Sequence, residues 1–452
     1  MKLLKKTLLA TAVAVTCSTA LAGTVSVTKQ VHSSEGLTGV TANQTSNAIS
    51  YTLAAAYQEG DRITFTFPDG ALVANGFPAQ VNVPAVNSAT PANAIAGLAL
   101  GLLNSDTNSV TYRVTSITQP TDGVNTTYTD RTTIGAVLPL GTIDYTADAV
   151  RNGSVTVTVS SVTAAGDTLD ASGTRTATVA EAKTQFGTAS VTAPFDAVVD
   201  VSQMRQAFVG GVADSMSWAI TDVDTTGWLN VATVNATSGT VVNLYGEAGK
   251  MGNVTAAQWS SAGSRTFTAD SARLSVAYGG MTTNDTITFT PLTGTSAAVI
   301  EAQAFTADFT YNYTSAGSQA GSATVGSGLS AGSWTLNGAT VNIPYMPYGP
   351  TASQVVYVTN SGTQAGDISV TAFDNNGNTF DLGVIGTANA QTVTKLAPAI
   401  NTALEAAGFA GSQASITVTV NAPEDDITVH ASFNIGGNDR AFVITDQYKG
   451  VE

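Results

Sequence analysis

Apolar residues at every second position are the feature that most constrains this chain. Ile63, Phe65 and Phe67 share one side of ITFTF, and Val155, Val157 and Val159 share one side of VTVTV. Ile416, Val418 and Val420 repeat the pattern, and Ile427, Val429, Ala431, Phe433 and Ile435 extend it over nine residues. Successive side chains of a strand point to opposite faces, so such segments bury one face and wet the other. Antiparallel sheets stacked face to face satisfy this pattern, and the expected fold is all-β, with tandem antiparallel β-sandwich domains.

One segment departs from period two. Leu396, Ile400 and Leu404 recur every four residues, with Thr394 as the expected N-cap, Pro398 in the first turn and Gly408 as the stop. These residues predict one short helix packed on the C-terminal sandwich as core filler. Ala92–Leu103 is apolar, but twelve residues are too few to span a bilayer and Leu98, Leu100 and Leu102 alternate, so a buried strand is expected.

Residues 1–22 read as a cleavable signal peptide. Lys2, Lys5 and Lys6 form the basic start, Thr7–Thr16 the uncharged stretch, and Ala20-Leu21-Ala22 the A-x-A pattern before Gly23. A membrane anchor and lipoprotein processing at Cys17 are the weaker alternatives. Cys17 is the only cysteine, so the exported chain is expected to have no disulfide and no thiolate chemistry. Three of the 17 Lys and Arg residues leave with the leader. The remaining 14 against 32 acidic residues give a formal charge near −18. Such a surface is a poor partner for nucleic acid, which is bound by neutralising phosphates with Lys and Arg. Charged residues are only 11% of the chain. Thr and Ser are expected to cover the solvent faces instead.

The expected organisation is an N-terminal β-rich domain over 23–194, a middle one over 195–316, a Gly/Ser-rich linker over 317–332 and a C-terminal sandwich with the helix over 333–452. The linker reading rests on GSQAGSATVGSGLSAG, which has little power to form a core. DRITFT from Asp61 and DTITFT from Asp285 echo one another. Two related domains or chance in a Thr-rich chain would each account for that.

No catalytic constellation emerges. His32 and His430 are the only histidines, without metal-ligand spacing, no G-x-S-x-G elbow accompanies either, and no phosphate-binding loop is present. Paired-carboxylate chemistry would need an aromatic-lined cleft, and Trp218, Trp228, Trp259 and Trp334 do not cluster in sequence. The reading is therefore a non-enzyme with no organic cofactor. Calcium or another divalent cation is the candidate inorganic partner, with Asp222, Asp224, Glu424, Asp425 and Asp426 as candidate ligands. Solvated loops are the competing reading for them. Asp374–Asn378 is read as a hairpin turn in preference to a cation loop. Pro344–Pro350 presents Tyr345, Met346 and Tyr348 either to a neighbouring subunit or to its own sandwich.

The lysine-rich leader, the cysteine-free acidic body and WTLNGATVNIPYMPYGP…VVYVTNSG…FDNNGN…TVTKLAPAINTAL…QYKG together resemble surface-layer proteins of marine Gram-negative bacteria. The resemblance is clearest over residues 333–452. It implies a secreted protein that tiles the outer surface as a self-assembled lattice and enters the biofilm matrix. Divalent cations would support assembly and link it to outer-membrane lipopolysaccharide. It carries over no functional residue. An adhesin or fimbrial subunit is the alternative, expected to show a donor strand or a sugar-binding cleft.

Overall fold

A computed structural model describes residues 23–73, 77–124, 126–170, 173–262, 265–437 and 439–448. The expected leader with Cys17, the turn residue Asn438 and the terminal Gly450-Val451-Glu452 lie outside the described residues.

The chain divides into two compact units that alternate along the sequence. The first comprises Met1–Phe186, Val223–Thr233 and Tyr313–Gly321, and the second takes the remainder. The expected boundary near residue 194 is therefore not where the contacts separate. The division follows packing, and two short distant segments pack with the N-terminal strands. The amide of Ser33 donates to the Leu229 carbonyl at 3.0 Å, and the Ser315 hydroxyl donates to the Thr38 carbonyl at 2.7 Å.

In the first unit the main strands are β1 (Thr24–Ser26), β2 (Gln30–Ser33), β3 (Ile49–Thr52), β4 (Arg62–Thr66), β5 (Gln80–Val83), β6 (Gly97–Ser105), β7 (Ser109–Thr118) and β8 (Val137–Gly141), and two-residue strands at Gln44–Thr45 and Asp144–Tyr145 pair with each other. A one-turn helix α1 (Ala147–Arg151) follows, then β9 (Ser154–Val162), β10 (Thr168–Leu169) and β11 (Thr176–Lys183). The large sheet runs β2-β11-β9-β4-β7-β6-β5, with β10 paired to β9, and a second sheet runs β1-β3-β8. Register explains the alternation: Phe65 lies opposite Val159 on one side and Val110 on the other, and all three are buried. Complete burial of such side chains contributes about 1.5–3 kcal/mol each. Leu98 and Leu100 are buried on β6, as their alternation predicted.

The second unit begins with β12 (Ala189–Ala193), β13 (Val198–Val199), β14 (Asp214–Ile220), β15 (Thr240–Tyr245), β16 (Trp259–Ser261), β17 (Thr266–Ala269), β18 (Arg273–Tyr278), β19 (Asn284–Phe289), β20 (Gln303–Thr314) and β21 (Ala320–Leu336). These form one sheet β12-β14-β19-β16 and another whose path is β13-β21-β20-β15-β18-β17.

The stretch expected to be a linker over 317–332 is thus mostly strand. Backbone pairing does not require large side chains, and small residues let neighbouring groups approach. At Gly332, with φ +100°, a β-carbon would overlap the backbone of Phe195. Glycine is needed there for contact and for conformation, not for a flexible chain. Trp334, expected at the start of the C-terminal module, is instead buried against Phe195, Phe208, Phe289 and Phe305.

The C-terminal core begins at Ala339. Its elements are β22 (Ala339–Pro347), β23 (Ala352–Asn360), β24 (Gly366–Asp374), β25 (Thr379–Ala388), β26 (Thr392–Lys395), α2 (Ala397–Ala406), β27 (Gln413–Val420), β28 (Ile427–Ile435) and β29 (Asp439–Val443). Sheets β22-β27-β24-β25 and β26-β23-β28-β29 enclose a core that also takes Leu396, Ile400 and Leu404. Gly408 has φ +76°, as a helix stop requires. The cap differs from expectation: Thr394 pairs with Val358 in the sheet, so the helix starts only after Leu396.

Candidate functional site

The five candidate cation ligands occupy separate settings. Asp222 follows β14, and its charge adds to burial in pushing the Tyr311 hydroxyl up to about 12. Asp224 is tied to its own turn: its Oδ1 accepts the Thr226 amide at 2.9 Å, and hydrogen bonds from Thr226 hold the carboxyl below its ordinary range. Glu424, Asp425 and Asp426 form one 3-10 turn between β27 and β28. The Asp426 carboxylate lies over Gly362, where a β-carbon would collide with it. Among the described residues, no three His, Cys, Asp or Glu side chains converge as a ligand set for a metal ion. Asp222, Asp224, Glu424 and Asp425 are exposed, and Asp426 is half-buried.

Asp374 closes the expected hairpin. Its Oδ1 accepts the amides of Asn376 at 2.8 Å and Asn378 at 2.9 Å, and its Oδ2 accepts Asn378 Nδ2 at 2.8 Å. The Asn378 side chain is the main cause of the lowered Asp374 pKa. Gly377 supplies the positive φ of +83°.

Both histidines have local partners. His32 is completely buried, with Nδ1 2.7 Å from Asn230 Oδ1 and Nε2 2.8 Å from the Tyr145 hydroxyl. Burial lowers its pKa, offset in part by Asn230. That arrangement joins β2 to the 223–233 segment within the first unit. His430 is exposed on β28 and packs edge-on against Phe442 at 5.5 Å.

Tyr345, Met346 and Tyr348 are not equivalent. Strand β22 continues to Pro347, and Pro344 sits where its pairing with β27 is irregular, between Ile343 and Met346. Met346 is buried in the core and Tyr348 packs on Phe409 at 5.1 Å. Tyr345 remains 43% exposed beside Phe433. The loop thus covers its own sandwich with two of its three large side chains.

The largest solvent-facing apolar side chains of the C-terminal sandwich lie elsewhere. Phe442 is 77% exposed, Ile444 67%, Val384 on β25 of the other sheet 65% and Val393 63%. Phe442 on β29 pairs with Ser432, and Val393 on β26 pairs with Thr359, which places apolar groups at both edges of one sheet. Strand β29 ends that sheet, so one row of its backbone groups has no strand partner. An unpaired edge flanked by exposed apolar groups is a surface suited to association. Composition alone did not reveal it, because period-two reading assigns the Phe442 and Ile444 alternation to a buried face.

The family model described as S-layer protein Slr4 matches residues 61–440. No curated protein matches the sequence. Among solved structures, the C-terminal domain of the Streptococcus agalactiae AgI/II polypeptide BspA aligns at 10% identity and a TM-score of 0.20, covering 69% of this chain and 99% of that one. The major pilin subunit BcpA of Bacillus cereus aligns at 8% identity and a TM-score of 0.20, covering 81% and 93%. At these scores neither likeness carries an argument.

Proposed function

The chain belongs to the S-layer protein Slr4 family, and from that premise we propose that it is exported, loses residues 1–22 and assembles with copies of itself on the outer surface of a Gram-negative cell. The family match over residues 61–440 carries this reading. It is a surface-layer protein, and its place is the cell exterior.

The finer proposal is a self-assembled layer that also enters the biofilm matrix, with a structural and non-catalytic role. Two features support assembly. The β26-β23-β28-β29 sheet offers an unpaired edge with Phe442 and Ile444 beside it. The sequence also carries few charges for its length, so close approach of copies meets limited repulsion. The residual acidity calls for counter-ions. We assign that role to calcium or another divalent cation bridging the Asp222 and Asp224 turns and the Glu424–Asp426 turn to acidic groups of a neighbour or of lipopolysaccharide.

Treating intact cells with a chelator and imaging their surface tests the reading. Release of the protein with loss of a regular lattice is the expected result. Retention until detergent is added would overturn it, and isolated fibres on an otherwise smooth surface would favour an adhesin or fimbrial subunit.

A further inference from the structure

An unbalanced buried carboxylate lies beside the residue where the proposed mature chain begins. Asp170 directly follows β10, is 7% exposed and holds φ at +48°, a conformation that side chains other than glycine rarely adopt. Its two oxygens differ. Oδ2 accepts the Tyr57 hydroxyl at 2.7 Å, the Tyr51 hydroxyl at 3.0 Å and the Ala54 amide at 3.2 Å. Oδ1 is buried and has no hydrogen-bond partner among the described residues. No Lys or Arg among them forms an ion pair with it, although the Arg175 charge is felt at the Tyr51 hydroxyl. A buried carboxylate oxygen left this way is expensive unless a cation or donor reaches it.

Gly23 is buried close to the Asp170 side chain. It enters β1, which pairs with β3 so that Val25 faces Tyr51. A β-carbon on Gly23 would overlap the Tyr51 hydroxyl oxygen and lie 3.4 Å from Asp170 Cβ. A side chain at position 23 would thus displace the Tyr51 hydroxyl group, and the main-chain nitrogen lies one bond from an α-carbon that sits beside the Asp170 side chain.

We propose that removal of the leader after Ala22 creates an α-ammonium on Gly23 that pairs with Asp170 Oδ1 and completes the core of the first unit. This rests on the export reading above. A leader-removing peptidase would use one water. Its hydroxyl goes to the Ala22 carbonyl carbon, the Ala22–Gly23 bond breaks, and the Gly23 nitrogen takes the water's proton and one more from solvent. A neutral amide becomes a cation, because an α-amino group is largely protonated at neutral pH. The precursor lacks this charge, so its first unit is less stable than that of the mature chain. Processing and folding are thereby linked.

The test has two stages. Mass spectrometry of the protein collected from cells identifies its first residue. A start at Gly23 is expected, whereas a start at Met1 or a lipidated Cys17 overturns the export reading and this inference with it. Next, full mature chains beginning at Gly23 are compared with chains carrying one extra serine before Gly23, each with Asp170 and with Asp170→Asn. We expect the extension to lower the first unit's melting midpoint by about 5 °C and Asp170→Asn to cost clearly less in the extended chain. Equal cost in both backgrounds overturns the ion pair while leaving export intact. Should Asp170→Asn fail to fold, hydrogen exchange in β1 and β3 decides on the two Asp170 chains. Faster exchange in the extended chain supports the pair, and unchanged exchange overturns it.

Discussion

The indole Nε1 of Trp334 donates to Asp214 Oδ2 at 2.7 Å, with both residues buried in the second unit. Asp214 opens β14 and Trp334 lies near the end of β21, 120 residues later. The same carboxylate accepts the Ala197 amide at 3.2 Å through Oδ2 and its neighbour Ser215's amide at 2.8 Å through Oδ1. Asp214→Ala leaves the indole N–H and the Ala197 amide without this acceptor. Equilibrium denaturation followed by tryptophan fluorescence should show a loss of about 2–4 kcal/mol in the second unit. A change under 1 kcal/mol would mean that other acceptors replace it.

Gly332→Ala tests whether the Gly-rich stretch is structural. The added methyl meets the Phe195 backbone while φ is held at +100°. Destabilisation above about 1 kcal/mol is expected, measured by urea unfolding. A true linker glycine would tolerate the change without cost.

His32 should make the first unit sensitive to acid. Its folded pKa is lowered by burial, so below its ordinary value of about 6.5 the unfolded chain binds the proton more readily. The stabilising contribution is present above that pH and is lost as pH falls toward the folded pKa. Melting midpoints between pH 7.5 and 5 should decline, and His32→Gln should flatten the decline. The imidazole resonances of His32 should titrate below 6.5 in NMR.

Phe442→Ser and Ile444→Ser remove exposed apolar groups without opening the core. Monomer stability should change by less than about 0.5 kcal/mol. Under conditions where the native protein forms sheets, the double variant should stay smaller in analytical ultracentrifugation. Undiminished assembly would move the contact surface away from β29.

Ile400→Ala probes helix α2. The side chain is buried between the helix and the C-terminal sheets, so a loss of about 2–5 kcal/mol is expected in the C-terminal transition.

The acidic candidates separate what local sequence can reveal from what it cannot. The Asp374–Asn378 turn was legible because a short polar run ending in Asn-Gly-Asn between two apolar strands has few other uses, and every bond it makes is local. The Glu424–Asp426 turn was legible as a turn, but its consequence for a ligand depends on what faces it. Asp170 attracted no notice in the sequence, since its neighbours Tyr51 and Tyr57 are more than a hundred positions away.

By itself the sequence determined several strands, the faces that most of them bury and helix α2, because period-two and period-four burial are set within a few residues. It also supplied the resemblance to surface-layer proteins, and the family match bears out that part of it. Only the tertiary structure decided that 320–336 is a strand, that Trp334 belongs with Asp214 and that residues 223–233 and 313–321 pack with the first unit. Those outcomes depend on partner choice. Backbone pairing and buried polar contacts are made across long stretches of chain, and small residues such as those around Gly332 become strand only when a neighbouring backbone lies against them.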